Sequence, residues 1–167
     1  SRTTRKKKTH KNKLFLDLKD VEYFTIPESV EWAIILGGVT SYDDCENNFD
    51  YAYDINCIKI PFLIKKFIKN NIKTIFISSN VVFKNQKKIP SEFDIHNPGF
   101  PYASLKSITE KKIDTIVNST NSSKLISIVR LTKNVCENTS PFNSWIKKIN
   151  NNEKFLEFLN NNGFYMH

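Results

Sequence analysis

Glycine is scarce in this sequence, and long apolar runs are missing. Four of its 167 residues are glycine, at positions 37, 38, 99 and 163, so no short turn can contain three spaced glycines of the kind that cradle phosphate groups. The longest apolar stretch, residues 32–39, is far shorter than the ~18 residues that a membrane span requires. No apolar segment follows the basic N-terminus, as a signal peptide would require. We therefore expect no membrane partner.

Cysteine and histidine are also few, with three of each. The cysteines stand far apart and include no C-x-x-C pair, which argues against a disulfide framework and against a thiolate metal site. The histidines lack the spacing of metal ligands, so no metal site is predicted. This use of cysteine favours a reducing compartment, and we expect a cytoplasmic protein. The residues concerned are Cys45, Cys57, Cys136, His10, His96 and His167.

Acidic residues are missing from the first thirteen positions, SRTTRKKKTHKNK, which hold seven Lys or Arg. The chain has a formal net charge of +8, so this basic segment carries nearly all of the excess charge and the remaining residues are close to neutral. We expect a solvated basic loop and no nucleic-acid partner, because no aromatic side chain is interleaved with the charges to stack on bases. A nucleic-acid arm remains the alternative, and its affinity would fall steeply with salt.

Apolar runs alternate with segments of helical pattern along the chain. The runs are nearly continuous in apolar residues, which is typical of strands buried on both faces of a parallel sheet. A kink or break is predicted at Pro61 within the first long helix. The alternation predicts an α/β fold built from βαβ units. Strands are expected at 12–18, 30–38, 73–79, 124–132 and 154–159, and helices at 43–71, 102–118 and 141–149.

Polar side chains at the carboxyl ends of the predicted strands are the candidates for chemistry, because parallel α/β sheets bind ligands there. Ser79 ends one strand, Tyr102 opens the next helix, and Lys106 follows four residues later, about 40° away around the helix axis. An ammonium group near a phenol favours the phenolate, so we expect Lys106 to lower the pKa of Tyr102 and make it a general acid or base. A carbonyl oxygen held between Ser79 and Tyr102 would be polarised and protonated. This is the chemistry of carbonyl reduction or, in reverse, of alcohol oxidation.

The Tyr-x-x-x-Lys spacing alone is weak evidence, since a chain so rich in lysine contains such a pair by chance. The plain alternative is a surface Tyr beside a solvated Lys, with Ser79 only capping the strand end. The context favours catalysis: an apolar strand ends in Ser-Ser, a Pro-rich loop follows, and the Tyr stands at the start of a helix.

Three segments carry a resemblance to a known family. Residues 78–83, SSNVVF, are similar to the strand end S-[ST]-D-x-V-F, and residues 90–98, PSEFDIHNP, resemble the loop P-x-x-E-x-D-x-x-x-P. Residues 102–110 are similar to Y-x-x-[ST]-K-x-x-x-E, with Ser104 one position early. These motifs resemble the extended short-chain dehydrogenase/reductases that act on nucleotide sugars, especially the dTDP-4-dehydrorhamnose reductase branch. The resemblance implies a Rossmann-type parallel sheet flanked by helices, with Ser79, Tyr102 and Lys106 as the catalytic residues.

The same resemblance implies a set of cofactor contacts. Asp17 and Leu18 look like the Asp-hydrophobic pair that contacts adenine at the end of the family's third strand. Residues 36–40, LGGVT, stand where the family has its small-residue cofactor turn, and Asn56 stands at a common Asn of the acidic helix that follows. The implied cofactor is NADP or NAD, with contacts from Arg2, Asp17, Leu18, Leu36, Gly37, Gly38, Thr40, Asn56, Tyr102 and Lys106. The implied substrate contacts are Ser79, Asn80 and Tyr102.

Two departures from the family pattern affect this interpretation. The Gly-rich first βα unit is missing, so we expect an interior fragment of a longer enzyme whose sheet is incomplete at the N-terminus; the alternative is a true loss of that unit. Residues 1–140 would then form a partial NAD(P)-binding domain, and residues 141–167 the start of a substrate-binding region. Asn80 replaces the family's Asp, and the Thr-Asp-Glu run of its dehydratases is absent, which disfavours dehydration.

The implied function is the NAD(P)-dependent reduction of a 4-keto nucleotide sugar. Two alternatives stay open within the same fold: a nucleotide-sugar epimerase that retains its cofactor, and a non-catalytic NADP-binding regulatory subunit similar to that of methionine adenosyltransferase. Arg2 or Arg5 would accommodate the 2′-phosphate of NADP, as basic residues after the second strand of Rossmann folds do. The expected partner is a nucleotide sugar, and a homodimer is left open.

Overall fold

The computed structural model describes residues 14–83 and 90–131 of the chain. Several predictions concern residues outside these ranges: the basic segment 1–13 with Arg2, the elements at 141–149 and 154–159, and the proposed region 141–167. The adjoining residues Thr132 and Cys136 also lie outside the described residues.

A parallel sheet of three strands forms the centre of the described fold. Its strands are β1 (Trp32–Ile35), β2 (Lys73–Ser79) and β3 (Ile126–Leu131), in the spatial order β1-β2-β3. Both strand pairs are parallel, with Ile34 opposite Ile75 and Ile77 opposite Val129. Each connection between neighbouring strands contains helices, as parallel strands require. The predicted α/β class is confirmed.

Helices join the strands in the predicted order. The first connection contains α1 (Tyr42–Asn47), α2 (Phe49–Tyr53), a π-helical segment (Asp54–Lys59) and α3 (Ile60–Lys69), and the second contains α4 (Pro101–Thr120). Pro61 lies in the first turn of α3, just after the π-helical segment. Pro61 has no amide hydrogen, so it cannot donate a backbone hydrogen bond to the preceding turn. This missing hydrogen bond explains why the helix changes from π to α geometry at this point.

The strand predicted at 12–18 is wrong for the part that the structure describes. Residues 14–17 form no strand, and Leu18–Tyr23 is a 3₁₀-helix. Asp17 caps this helix, since its Oδ1 accepts a hydrogen bond of 3.0 Å from the Lys19 amide. A short acidic side chain that satisfies a nearby amide in this way competes with strand pairing.

The hydrophobic core lies between one face of the sheet and helices α3 and α4. Ile35 and Phe76 from the sheet belong to one buried cluster with Ile64, Phe67 and Ile113 from the helices. Residues on the opposite face remain accessible: Trp32 is 58% and Ile34 is 61% exposed. Contrary to the prediction from its sequence, β1 is therefore not buried on both faces, because the described helices cover only one face of the sheet. None of the helices within the two described ranges is long and apolar enough to cross a membrane.

Lys66 on α3 ties the helix core to the Leu18–Tyr23 segment. Its Nζ donates to the carbonyl oxygens of Val21, Glu22 and Phe24 at 3.3, 3.0 and 2.6 Å. Lys66→Met would leave these carbonyls without their cationic donor, and we expect it to lower the free energy of unfolding by about 1–2 kcal/mol. Urea denaturation should reveal this loss against the exposed neighbour variant Lys65→Met. Equal stability of the two variants would contradict the assigned role.

Candidate active site

The carboxyl end of β2 presents two consecutive serines with different surroundings. Ser78 is buried and its hydroxyl is hydrogen-bonded to the Glu110 carboxylate. Ser79 is half-buried, and its Oγ accepts a hydrogen bond of 3.4 Å from the Val81 amide, which caps the short 3₁₀-helix Asn80–Val82. The Ser79 hydroxyl retains its proton for donation in this arrangement.

Lys106 connects helix α4 to the strand that ends at Ser79. Its Nζ donates to the carbonyl oxygen of Ile77 at 2.9 Å and lies 4.8 Å from the centre of the Phe76 ring. The same Nζ lies 5.9 Å from the centre of the Tyr102 ring. Burial lowers the pKa of Lys106 to about 8, so the group is still mainly an ammonium at neutral pH.

Tyr102 occupies the first turn of α4, where Pro101 starts the helix. Lys106 was expected to lower the pKa of this phenol, and that expectation is not met. Burial raises the pKa of Tyr102, and Tyr42 and Cys45 raise it further. The physical reason is that desolvation outweighs the Lys106 ammonium group, which lies 5.9 Å from the ring centre and is engaged with the Ile77 carbonyl. Tyr102 is therefore a neutral phenol at physiological pH, the form that can donate a proton.

Two further aromatic rings, neither of which was predicted as part of the site, lie near Tyr102. The centre of the Tyr42 ring is 5.1 Å from that of Tyr102 and 4.9 Å from that of Phe100. Phe100 and Tyr102 stack at 6.4 Å with 22° between their planes. The available sequence signal was position alone: Tyr42 follows the Gly37-Gly38 turn closely, and Phe100 directly precedes Pro101-Tyr102.

The Gly37-Gly38 turn follows β1 and is held by Asn56. Asn56 Oδ1 accepts from the Val39 amide at 2.9 Å, and Asn56 Nδ2 donates to the Val39 carbonyl at 2.9 Å. Both the oxygen and the nitrogen of this buried side-chain amide are thus hydrogen-bonded to Val39. The structure therefore gives Asn56 a role in shaping the turn, whereas the family resemblance implied a direct cofactor contact.

A surface cavity opens beside this turn. It has a volume of about 390 Å³, and its lining includes Gly38 and Thr40, two of the predicted cofactor contacts, together with Asp44. Leu36 is exposed, and Leu18 Cδ1 lies against Gly37, at 3.6 Å from where a Cβ would be. Asp17 is exposed as the cap of its 3₁₀-helix.

The predicted site residues thus form two groups that lie side by side. Lys106 contacts the strand that ends at Ser79 and lies near the Tyr102 ring, while Gly38 and Thr40 belong to the turn after β1, to which Asn56 is hydrogen-bonded. Tyr42 links the groups, because it follows the turn in α1 and its ring contacts Tyr102.

Solved structures with a similar backbone include two dTDP-4-dehydrorhamnose reductases. The enzyme of Clostridium acetobutylicum is similar over 60% of this chain, with 29% sequence identity and a TM-score of 0.52. The enzyme of Bacillus anthracis, in complex with NADP, is similar over 74% of the chain, with 20% identity and a TM-score of 0.61. RMD from Pseudomonas aeruginosa, complexed with NADPH, is similar over 83% of the chain, with 16% identity and a TM-score of 0.67.

The chain shares the Rossmann-type fold of the dTDP-4-dehydrorhamnose reductases. It spans 34%, 42% and 51% of the lengths of the three structures just described. No protein-family model matches the sequence, and no curated protein matches it. The predicted resemblance to this reductase fold is confirmed. The roles of the individual residues within it remain predictions.

Proposed function

We propose that this protein acts as an NAD(P)-dependent reductase of a 4-keto nucleotide sugar, with Tyr102 as proton donor. The observation that carries the proposal is the position of Lys106. Its buried ammonium group lies 5.9 Å from the centre of the Tyr102 ring and donates to the Ile77 carbonyl in the strand that ends at Ser79. The similarity to dTDP-4-dehydrorhamnose reductases supports this chemistry.

The residues present fit the nicotinamide and ribose end of a dinucleotide. Lys106 is a buried cation near the phenol, and Gly38 of the Gly37-Gly38 turn lines a surface cavity. In this proposal Lys106 binds ribose hydroxyls, and Leu36, Gly37, Gly38 and Thr40 line the cofactor's path. The proposed cofactor is NADP or NAD, since similar structures contain NADP, NADPH or NAD.

A bound nicotinamide cofactor supplies the hydride that reduces the sugar's carbonyl carbon. The Ser79 hydroxyl donates a hydrogen bond to the carbonyl oxygen and holds it beside Tyr102. Asn80, the next residue in the chain, contacts the substrate in this proposal. Tyr102 Oη gives its proton to that oxygen, so the ketone becomes a secondary alcohol and the phenol becomes a phenolate. The Lys106 ammonium stabilises this phenolate by charge until solvent returns the proton.

The direct test uses the full-length gene product with NADPH and dTDP-4-dehydrorhamnose. We expect NADPH to be consumed, with loss of its near-ultraviolet absorbance. dTDP-glucose, which has no 4-keto group, is the matched control and should leave NADPH unchanged. Failure of NADPH and NADH to bind in calorimetry would refute the proposal.

An epimerase is the second candidate, because UDP-glucose 4-epimerase of Thermotoga maritima is similar over 60% of the chain with 25% identity and a TM-score of 0.52. An epimerase oxidises and re-reduces its sugar, so NAD should survive purification on the protein. Turnover that depends on added NADPH favours the reductase instead.

Three associated properties belong to the same proposal. The substrate partner is a nucleotide sugar, and the UDP-glucose and UDP-glucuronic acid complexes of MoeE5 support this class. Residues 1–140 are proposed as a partial cofactor-binding domain and residues 141–167 as the start of the substrate-binding region. The buried thiols of Cys45 and Cys57 suit the reducing cytoplasm.

A further inference from the structure

A buried carboxylate, that of Glu110, joins three elements around the candidate site. Glu110 is fully buried on α4, one turn after Lys106. It accepts hydrogen bonds from the Ser78 hydroxyl on β2 and from Arg130 on β3, with Nε at 2.9 Å and Nη2 at 2.7 Å from Oε2. Both Arg130 donors thus converge on one carboxylate oxygen, and hydrogen bonds between ionised groups of this kind are stronger than those between neutral groups.

Arg130 extends the cluster to the loop that precedes Tyr102. Its Nη1 donates to the Glu92 carbonyl at 3.1 Å, and its Nη2 lies 3.1 Å from Nε2 of His96. A guanidinium group can only donate, so His96 Nε2 must be the acceptor and Nδ1 must carry the ring proton. Nδ1 then donates to the Ser107 hydroxyl at 3.0 Å, and this hydrogen bond attaches the loop to α4.

The loop anchored in this way borders the candidate site on both sides. Next to His96, the Asn97 amide donates to the Val82 carbonyl at 3.0 Å, in the segment that follows Ser79. At its other end the loop leads to Phe100, which stacks on Tyr102. Displacement of the loop would therefore move the surroundings of both proposed catalytic hydroxyls.

We propose that Glu110 is a positioning residue, which through Ser78, Arg130 and neutral His96 fixes the strand end with Ser79 and the loop 90–100 against the helix with Tyr102. This inference rests on the proposed function for its effect on turnover. The contacts themselves make a claim that is independent of activity, namely that removal of the carboxylate releases the loop.

The charge state of His96 follows from the groups that face it. Burial lowers the pKa of His96, Arg130 and Lys111 lower it as well, and Glu110 and Asp114 oppose them. His96 is thus neutral at pH 7. Because the unfolded chain binds this proton more readily than the folded protein, the folded loop loses stability as the pH falls below about 6.5, the usual value for histidine.

The test compares Glu110→Gln and Ser78→Ala with the wild-type full-length protein. In Glu110→Gln, we expect amide hydrogen exchange in residues 81–83 and 90–100 to accelerate about tenfold or more through local opening. In both variants, kcat should fall about tenfold to a hundredfold, because the reacting groups are misaligned. Glu28→Gln, the same change at an exposed position, is the control and should alter neither quantity.

The outcomes separate this inference from the proposed function. If the wild-type protein neither binds nor oxidises NADPH, the proposed function fails, and loop exchange still decides whether Glu110 holds the loop. If Glu110→Gln cannot be folded, Ser78→Ala carries the test, since it keeps the buried ion pair. Unchanged exchange in the loop of Glu110→Gln, or unchanged kcat in a well-folded, active Ser78→Ala, overturns the proposal.

The pH profile adds a readout that a merely structural role would not move. Wild-type kcat should decline on the acidic side as His96 becomes protonated, because its Nε2 then can no longer accept from Arg130. His96→Gln, which retains an acceptor without titrating near neutral pH, should lose this acidic limb. An acidic limb that is the same in wild type and His96→Gln would overturn the role of neutral His96.

Discussion

Tyr102→Phe is expected to lower kcat for the reduction of the nucleotide sugar by about 10²–10⁴-fold, the usual contribution of a positioned general acid. The variant removes the phenolic proton and leaves the ring, so its stacking on Phe100 and Tyr42 should persist. KM should change little for the same reason. Steady-state kinetics with NADPH and dTDP-4-dehydrorhamnose measure both constants, and Tyr23→Phe, at an exposed position, is the matched control.

A wild-type kcat in Tyr102→Phe would show that Tyr102 is not the proton donor. The proposal of a regulatory subunit makes a different prediction for the same variant: nothing changes, and a partner enzyme co-purifies. The raised pKa of Tyr102 sets the sign of the pH dependence. Reduction that needs the neutral phenol should persist through neutral pH and decline only when Tyr102 deprotonates in alkaline solution.

Gly38→Ala is expected to lower the free energy of unfolding by about 2–4 kcal/mol, through backbone strain and overpacking together. Gly38 has φ of +134°, which L side chains rarely adopt, and a Cβ there would lie 2.7 Å from Asn56 Oδ1 and 3.2 Å from Ile60 Cδ1. The new methyl group would push Asn56 away from Val39 and break the paired hydrogen bonds that hold the turn.

Gly37→Ala provides the comparison for this prediction. A Cβ at Gly37 would meet Leu18 Cδ1 at 3.6 Å, an ordinary contact, so we expect a change below about 0.5 kcal/mol. Denaturant titration of both variants gives the difference directly. Equal stabilities would show that neither the backbone of Gly38 nor its distance from Asn56 constrains the turn.

Apolar runs and turn residues were sufficient to predict much of the fold. The bounds of β2 were predicted to the residue, and α4 and β3 were predicted to within two residues, because their residues face a core that any arrangement must bury. The segment at 12–18 failed because the apolar pattern around Leu16 is compatible with a strand, whereas the Asp17 side chain stabilises a 3₁₀-helix through a single local hydrogen bond. The spacing of apolar residues does not predict such a hydrogen bond.

Residue order was also the basis for proposing the site residues: Ser79 at a strand end, Tyr102 at a helix start and Lys106 one turn later. It could not predict the direction of the pKa shift of Tyr102. The pKa of Tyr102 depends on how much water reaches the phenol and on where the Lys106 ammonium points, and both are properties of packing between α4, β2 and α1. Glu110, Arg130 and His96 are far apart in the chain, so their union in one buried cluster required the folded sheet. The sequence identifies the charged groups but not their burial or the distances between them. Burial and distance set the pKa values and interaction energies of these groups, and both arise only when elements remote in the chain pack together.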